Sequence, residues 1–225
     1  MSRGIVATGL SLNPSTGSLG PPLPPTQLLL HFDGEEGSQV FPDSSSYGYT
    51  ISVVGAVDVD TAVKKWGTGS GYFSGNPDRL YCDECLNWDI TLDWTVDFWA
   101  KHDLPVTEDY VCQLYDTSNR WKLYHLDGLG LRFNLMVGGE TLVDTGAPTG
   151  GEIEDTAWHH IALCKVGDRW AIYLDGDQVV YLLDSDLDTF AGPLYIGHSG
   201  SGTKYYFTGH MEELKISREN HFGRS

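Results

Sequence analysis

The sequence predicts an all-β protein built as an antiparallel sandwich of two sheets, and three observations support this. Between residues 27 and 217, short apolar segments alternate with turn signals rich in glycine and aspartate. No segment keeps the helical period over three turns. Glycine occurs 27 times and aromatic residues make up 12% of the chain, as is typical of turn-rich β proteins.

The strands are predicted from apolar runs and from alternation. The clearest case is 94–101, in which Val96, Phe98 and Ala100 alternate with polar residues and therefore share one face. We expect strands at 28–32, 50–54, 71–73, 94–101, 110–115, 121–126, 131–137, 158–166, 169–174, 179–183, 194–196 and 205–217.

Charge and hydropathy exclude two classes of partner. The formal net charge of −17 repels a phosphate backbone, so we expect no nucleic acid partner. No apolar run approaches the roughly 20 residues of a membrane-spanning helix, so we expect no membrane partner. The first residues lack the apolar core of a secretory signal, which favours synthesis in a cytoplasm.

Three regions are predicted. Residues 1–26 form an extended N-terminal arm in which Gly, Pro, Ser and Thr account for 16 positions and Arg3 is the one charged residue. Residues 27–217 form the β domain, and 218–225 a short C-terminal tail. The arm carries spaced aliphatic residues that suit an extended strap laid on another chain, namely Ile5, Val6, Leu10, Leu12, Leu19 and Leu23.

The four cysteines are interpreted as structural. Cys82 and Cys85 form a CxxC motif, but no helix pattern follows and two acidic residues inside it disfavour a thiolate. A zinc site would need a second ligand pair. Cys112 and Cys164 lie singly on apolar strands, so we expect four reduced thiols without a metal or redox role.

Eight strings in the same order resemble a known family. They are LLHFDG at 29–34, DSS at 43–45, WGTGSGYFSG at 66–75, WTVDFW at 94–99, WHHIA at 158–162, IYLDG at 172–176, YIG at 195–197 and FTGHMEELKIS at 207–217. Together they resemble a laminin G/pentraxin-like domain of the concanavalin A-like lectin/glucanase superfamily over residues 28–217. The resemblance implies a jelly roll whose first and last strands are adjacent.

A hydrolase is the least favoured function that the resemblance allows. Glycoside hydrolysis needs two carboxyl groups about 5–10 Å apart, and the superfamily's hydrolases carry them as Glu-x-Asp-x-x-Glu on one strand. The nearest match, Glu152 with Glu154, lacks the third acid because position 157 is Ala157. We therefore expect no enzymatic activity.

Two histidines and several acids are metal candidates. His159 and His160 are neighbours on a predicted strand and so face opposite sheet surfaces, which disfavours a shared ion. Calcium is the more credible cofactor, because the jelly roll brings the first and last strands together and oxygen ligands suit that ion. Its candidate ligands are Asp33, Asp43, Glu212 and Glu213, with Asp184, Asp186 and Asp188 as a weaker second set. The alternative is that these acids cap turns and accept backbone N–H groups.

Glycan binding would require exposed aromatic rings beside amide or carboxylate groups. Trp121 and Tyr124 are the candidates for such a platform, with Trp88, Trp99, Asn119 and Asn134 also available. Since most aromatic residues of a sandwich pack in its core, each one is more easily explained as packing.

These observations lead to one preferred hypothesis and two alternatives. The preferred one, based on the phage tail and decoration proteins that contain such domains, is a non-enzymatic bacteriophage virion protein. Its arm would attach it to a capsid or tail lattice, its copies would form a homo-oligomer, and weak adhesion to a host surface glycan would be an added role. The alternatives are a calcium-dependent glycan-binding adhesin or lectin module, and a glycoside hydrolase.

Overall fold

The computed structural model describes residues 26–83, 91–104, 107–146, 151–200, 202 and 204–218, and within these ranges it contains strands and no helix. The strands are β1 (Thr26–Leu30), β2 (Ser52–Val54), β3 (Asp58–Asp60), β4 (Ser70–Ser74), β5 (Arg79–Cys82), β6 (Trp94–His102), β7 (Glu108–Asp116), β8 (Asn119–Leu126), β9 (Gly130–Val137), β10 (Glu140–Asp144), β11 (Trp158–Val166), β12 (Arg169–Leu174), β13 (Asp177–Leu183), β14 (Leu194–Ile196) and β15 (Thr208–Ser217). No helix of the described part is long and apolar enough to cross a membrane.

The strands form two antiparallel sheets, as predicted. The eight-stranded sheet has the order β13-β12-β11-β6-β15-β4-β3, and β1 pairs with β15 beside this path. The seven-stranded sheet has the order β10-β9-β8-β7-β14-β5-β2. Their inner faces share one apolar core, in which Trp94 of the first sheet lies 5.4 Å from Trp121 of the second, centroid to centroid. This is the predicted sandwich and jelly roll.

The first and last strands are adjacent, as the family resemblance implied. β1 runs antiparallel to β15, with Thr26 opposite Ser217 and Leu30 opposite Leu214. β15 also pairs with β4 and β6, and its register with β6 shifts between Glu212 and Lys215. β15 is therefore the strand that ties three others together.

Most differences between expected and observed strands concern short ones. The strands predicted at 158–166, 169–174 and 194–196 have the observed bounds, whereas β3, β5 and β10 were not predicted. β3 is a single buried valine between two aspartates, and such a segment carries no alternation over the four residues that the pattern requires.

The cysteine prediction is confirmed at two positions and wrong at a third. Cys112 and Cys164 are free and buried, and burial raises the pKa of the Cys164 thiol to about 12. Cys82, buried at the end of β5, is disulfide-bonded rather than reduced. Cys85 and Trp88 lie outside the described residues.

Candidate functional site

Two of the predicted calcium ligands organise the loops next to β1 and β15. The carboxylate of Asp43 accepts hydrogen bonds from the backbone N–H groups of Leu29, Ser45 and Tyr49 at 2.9–3.0 Å. The carboxylate of Glu213 pairs with Nδ1 of His31 at 2.8 Å. Each of these carboxylates therefore already has protein partners.

Asp33 and Glu212 hold the loop that connects β3 to β4. Asp33 accepts hydrogen bonds from the backbone N–H groups of Thr68 and Gly69. Glu212 accepts them from Lys65 at 2.5 Å and from Trp66 at 2.9 Å. Burial raises the pKa of the Glu212 carboxyl group, and the two backbone donors oppose that shift.

The contacts of these four acids match the alternative interpretation, in which carboxylates cap turns and accept backbone N–H groups. Within the described residues, no group of three or more His, Cys, Asp or Glu side chains could hold a metal ion. Calcium binding stays a prediction of the sequence.

The weaker calcium set (Asp184, Asp186 and Asp188) and the hydrolase candidates (Glu152 and Glu154) also form no common site. Oδ1 of Asp184 accepts the backbone N–H of Asp186 at 2.9 Å, which forms a local turn. Glu152 accepts the backbone N–H of Gly128 at 2.9 Å, and Glu154 is exposed in the segment before β11. These acids make loop contacts rather than a shared cluster.

His159 and His160 face opposite sides of β11, as predicted. The ring of His159 lies 6.4 Å from that of buried His102, and its Nδ1 lies 2.7 Å from the carboxylate of Asp175. The ring of His160 instead lies 5.0 Å from that of Trp99 on the outer face. The two imidazoles therefore do not share a site.

The role predicted for Trp121 is corrected by its burial. Its side chain is 0% exposed, and its indole N–H donates a hydrogen bond to Oε1 of Gln113 at 2.9 Å inside the core. A ring without solvent exposure offers no face to a sugar. Trp121 is a packing residue because it lies between Trp94 and Phe133 of the core.

Tyr124, the other predicted platform residue, lies on the outer face of the seven-stranded sheet but is only 7% exposed, so its own ring offers little face to a sugar and its predicted platform role is corrected too. It stands directly opposite Asp109 of β7 on one side and Arg132 of β9 on the other. Because directly opposed residues share a face, these three side chains form one row across three strands. We call Asp109, Tyr124 and Arg132 the Tyr124 row.

The Tyr124 row contains two buried polar atoms without a hydrogen-bond partner. One is Oδ2 of Asp109, whose residue is 1% exposed, and the other is Nε of Arg132. Their other groups include two ion pairs: Oδ1 of Asp109 pairs with Lys122 at 3.1 Å, and Nη2 of Arg132 pairs with Asp144 at 3.2 Å. An acceptor and a donor thus flank the tyrosine ring.

Lys122 and Tyr205 complete the surroundings of the row. The Lys122 ammonium lies 4.0 Å from the ring centroid of Tyr124 and 5.7 Å from that of Tyr205, and so covers the row. Tyr205 is exposed, and its backbone carbonyl accepts the N–H of Asp109 at 2.8 Å. An accessible aromatic ring is therefore fixed next to the row.

Sequence reasoning did not find Asp109, Arg132 or Tyr205. A signal for Arg132 existed, because it alternates with buried Leu131 and Phe133 and so had to face outward. Its alignment with Asp109 depends on the register of three strands, and that register shifts between Asp109 and Val111.

The residues of the predicted arm lie outside the described residues, except Thr26, which begins β1. This applies to the partner-binding positions Ile5, Val6, Leu10, Leu12, Leu19 and Leu23.

Several solved structures share the fold at low sequence identity. Domain 4 of AbnA, a GH43 extracellular arabinanase from Geobacillus stearothermophilus solved with arabinotriose, has a TM-score of 0.65 at 16% identity, covering 86% of this chain and 92% of that one. The binding domain of Paraclostridial Mosquitocidal Protein 1 has a TM-score of 0.63 at 18% identity, covering 86% of this chain and 49% of that one. The botulinum neurotoxin serotype D binding domain has a TM-score of 0.62 at 15% identity, covering 87% and 48%.

The chain spans about half the length of the two toxin binding domains. No curated protein matches it in sequence. Residues 74–220 match a laminin G-like family described as the concanavalin A-like lectin/glucanases superfamily. With the two-sheet sandwich described above, this match shows that the chain belongs to the concanavalin A-like lectin/glucanases superfamily.

Proposed function

We propose that the β domain is a non-catalytic carbohydrate-binding module and that the Tyr124 row contacts the sugar. The observation that carries this proposal is the unpaired acceptor on Asp109 and the unpaired donor on Arg132, on either side of one tyrosine. A sugar hydroxyl both donates and accepts hydrogen bonds, so separate hydroxyls of one short saccharide satisfy both atoms. Leaving such atoms unpaired costs about 1–3 kcal/mol each, which binding would recover.

The spacing of the polar groups suits a short saccharide of about two sugar rings. Strands lie about 4.8 Å apart, so Asp109 and Arg132 are separated by roughly 10 Å across β8. For a ligand to reach the row, the Lys122 side chain must move aside and give up its 3.1 Å pairing with Oδ1 of Asp109. The exposed ring of Tyr205 then provides an apolar face beside the hydrogen-bonding groups.

Structures of the same fold support the ligand class. The arabinanase domain was solved with arabinotriose, and a botulinum neurotoxin serotype D ligand-binding domain was solved with N-acetylneuraminic acid. At 16% and 15% identity these proteins share the fold, and their ligands are their own. The net charge of −17 favours a neutral saccharide for this chain over an acidic one.

The test is binding of the purified protein to a glycan array and to gels containing arabinan, β-glucan or mannan. Arg132→Met keeps the apolar stem and removes the unpaired donor, so we expect at least a tenfold loss of affinity, about 1.4 kcal/mol. Arg169→Met on β12 of the other sheet is the matched control and should bind like the wild type. Equal binding by Arg132→Met and wild type would contradict the role of the row.

Two further measurements in the same experiment test the calcium-dependent lectin and the hydrolase. Binding that disappears with a chelator would indicate the calcium-dependent lectin. Release of reducing sugar from the gel polysaccharides would indicate a hydrolase. We expect neither, because the candidate carboxylates Asp43, Glu212 and Glu152 are engaged with backbone donors in separate loops.

We also propose that residues 1–26 attach the module to a larger assembly, and the preferred assembly is a bacteriophage capsid or tail. This proposal rests on the composition of that segment, which combines spaced aliphatic residues, five prolines and a single charge. Several modules on one lattice would gain avidity for a surface glycan.

A further inference from the structure

Trp66 is an exposed aromatic residue on the side of the sandwich opposite the Tyr124 row. It lies in the loop between β3 and β4 and is 55% exposed. Its ring meets Trp99 of β6 edge-on, with centroids 6.5 Å apart and planes at 71°. Trp99 lies on the outer face of the eight-stranded sheet, because its neighbours Phe98 and Ala100 are buried in the core.

Three polar side chains surround the tryptophan pair. The ammonium of Lys65 lies 4.0 Å from the ring centroid of Trp99 and 5.6 Å from that of Trp66. The imidazole of His160 lies 5.0 Å from the Trp99 ring and 3.5 Å from the Asp97 carboxylate, ring nitrogen to oxygen. We call these five residues, Lys65, Trp66, Asp97, Trp99 and His160, the Trp66 platform.

Hydrogen bonds to two acidic side chains fix the backbone of the loop that carries Trp66. Glu212, which is 1% exposed, stands opposite Trp99 in the β15–β6 register, and its carboxylate accepts the backbone N–H groups of both Lys65 and Trp66. Asp33 fixes the other end of the loop through Thr68. A buried carboxylate thus presents an exposed indole in a set position, so little entropy is lost when a ligand binds to it.

A solitary exposed apolar residue is ordinary on a protein surface. Trp66 differs because it is paired with a second indole and anchored through its backbone by a buried acid. Its neighbours offer a donor at Lys65 and an acceptor at Asp97 beside an apolar ring face. That combination suits a pyranose ring, which stacks its C–H face on the indole and turns its hydroxyls to the polar groups.

We propose that the Trp66 platform is a second binding site for a neutral glycan chain, independent of the Tyr124 row. This inference rests on the proposed carbohydrate-binding function and adds a second site to it. The two sites lie on the outer faces of two sheets that pack about 10 Å apart, so a short oligosaccharide cannot occupy both. One copy of the domain therefore cross-links two glycan chains.

The experiment compares wild type, Trp66→Ala, Arg132→Met and the double variant on arabinan, β-glucan and mannan. Calorimetry with oligosaccharides of the polysaccharide that binds gives the number of sites, and turbidity of the mixture with that polysaccharide gives cross-linking. Tyr181→Ala on β13 is the matched control, because Tyr181 is also 55% exposed and lies on the same sheet. Thermal unfolding confirms that each variant is folded.

We expect two sites in the wild type and in Tyr181→Ala, one in each single variant, and at least a tenfold loss of affinity in the double variant. Turbidity should disappear in both single variants. Two sites and unchanged turbidity in Trp66→Ala would overturn the second site and leave the proposed function standing. Unchanged binding by Arg132→Met with complete loss in Trp66→Ala would overturn the Tyr124 row and the bivalence. A wild type that binds none of the three polysaccharides would overturn both proposals.

Discussion

At the scale of single residues, the interior holds an ionisable cluster that the proposed binding function does not use. His102, Glu108 and Tyr110 are buried where β6 ends and β7 begins, with Nε2 of His102 3.0 Å from the Tyr110 hydroxyl and 3.5 Å from the Glu108 carboxylate. Burial lowers the pKa of His102 from 6.5 to about 3 and raises the pKa of Glu108 well above 4.5. Burial therefore favours the neutral form of both side chains in the folded protein.

The two shifts predict opposite effects of pH on stability. The stability that neutral His102 contributes is present above pH 6.5 and is lost as pH falls towards about 3. The contribution of Glu108 is present below pH 4.5 and is lost as pH rises above it. Above pH 4.5 the two contributions to the pH dependence of stability therefore have opposite signs.

In Glu108→Gln, the contribution of His102 to the pH dependence of stability should no longer be opposed by that of Glu108. Relative to wild type, we expect its free energy of unfolding to fall as pH is lowered from 6.5 to 4.5, by at most about 1.4 kcal/mol per pH unit. Urea unfolding at several pH values measures this, with exposed Glu154→Gln as the control. A pH dependence identical to that of wild type would show that Glu108 is ionised when folded.

At the scale of elements, the close contact between β15 and β6 depends on a glycine. Gly209 has a φ of +134°, and a Cβ added there would lie 2.1 Å from the carbonyl oxygen of Lys101. That oxygen belongs to the backbone of β6, so relief would require the two central strands to separate.

Gly209→Ala should destabilise the domain by about 2–5 kcal/mol, combining backbone strain with the clash. Gly176→Ala is the matched control, because Gly176 also has a positive φ, of +89°, but its added Cβ meets nothing within 4 Å. Its cost should be limited to the strain, about 1–2 kcal/mol. Denaturant unfolding compares them, and equal losses would refute the steric explanation.

At the scale of the whole molecule, the sandwich is closed without the residues before Thr26. β1 begins at Thr26 and pairs with β15 up to Ser217, so the described hydrogen bonds between the first and last strands need nothing further upstream.

Deletion of residues 1–25 should therefore leave the unfolding temperature and glycan binding unchanged while abolishing attachment to the larger assembly. Thermal unfolding and co-sedimentation with purified virions measure the two outcomes. A matched variant with the six aliphatic residues of the arm changed to Ser tests whether side chains or length matter. Full incorporation of the truncated protein would defeat the attachment proposal.

The sequence predicted those features that depend on one strand at a time. Alternation at Val96, Phe98 and Ala100 correctly identified the inner face of β6. Whether a tryptophan is exposed depends instead on three-dimensional packing. Buried Trp121 was therefore wrongly predicted as a glycan platform, and exposed Trp66 was not predicted as one. The Tyr124 row likewise arises from the register between strands, which a single sequence does not encode as a visible pattern.

The pairing of Thr26 with Ser217 has a mechanical consequence. The polypeptide enters and leaves the sandwich side by side, so tension applied between its two ends would unzip β1 from β15 one residue pair at a time. Tension on the N-terminal end alone would instead rotate the domain about the start of β1. Both ends of the described domain therefore transmit force to the sandwich at the same place, the outer end of the β1–β15 pair.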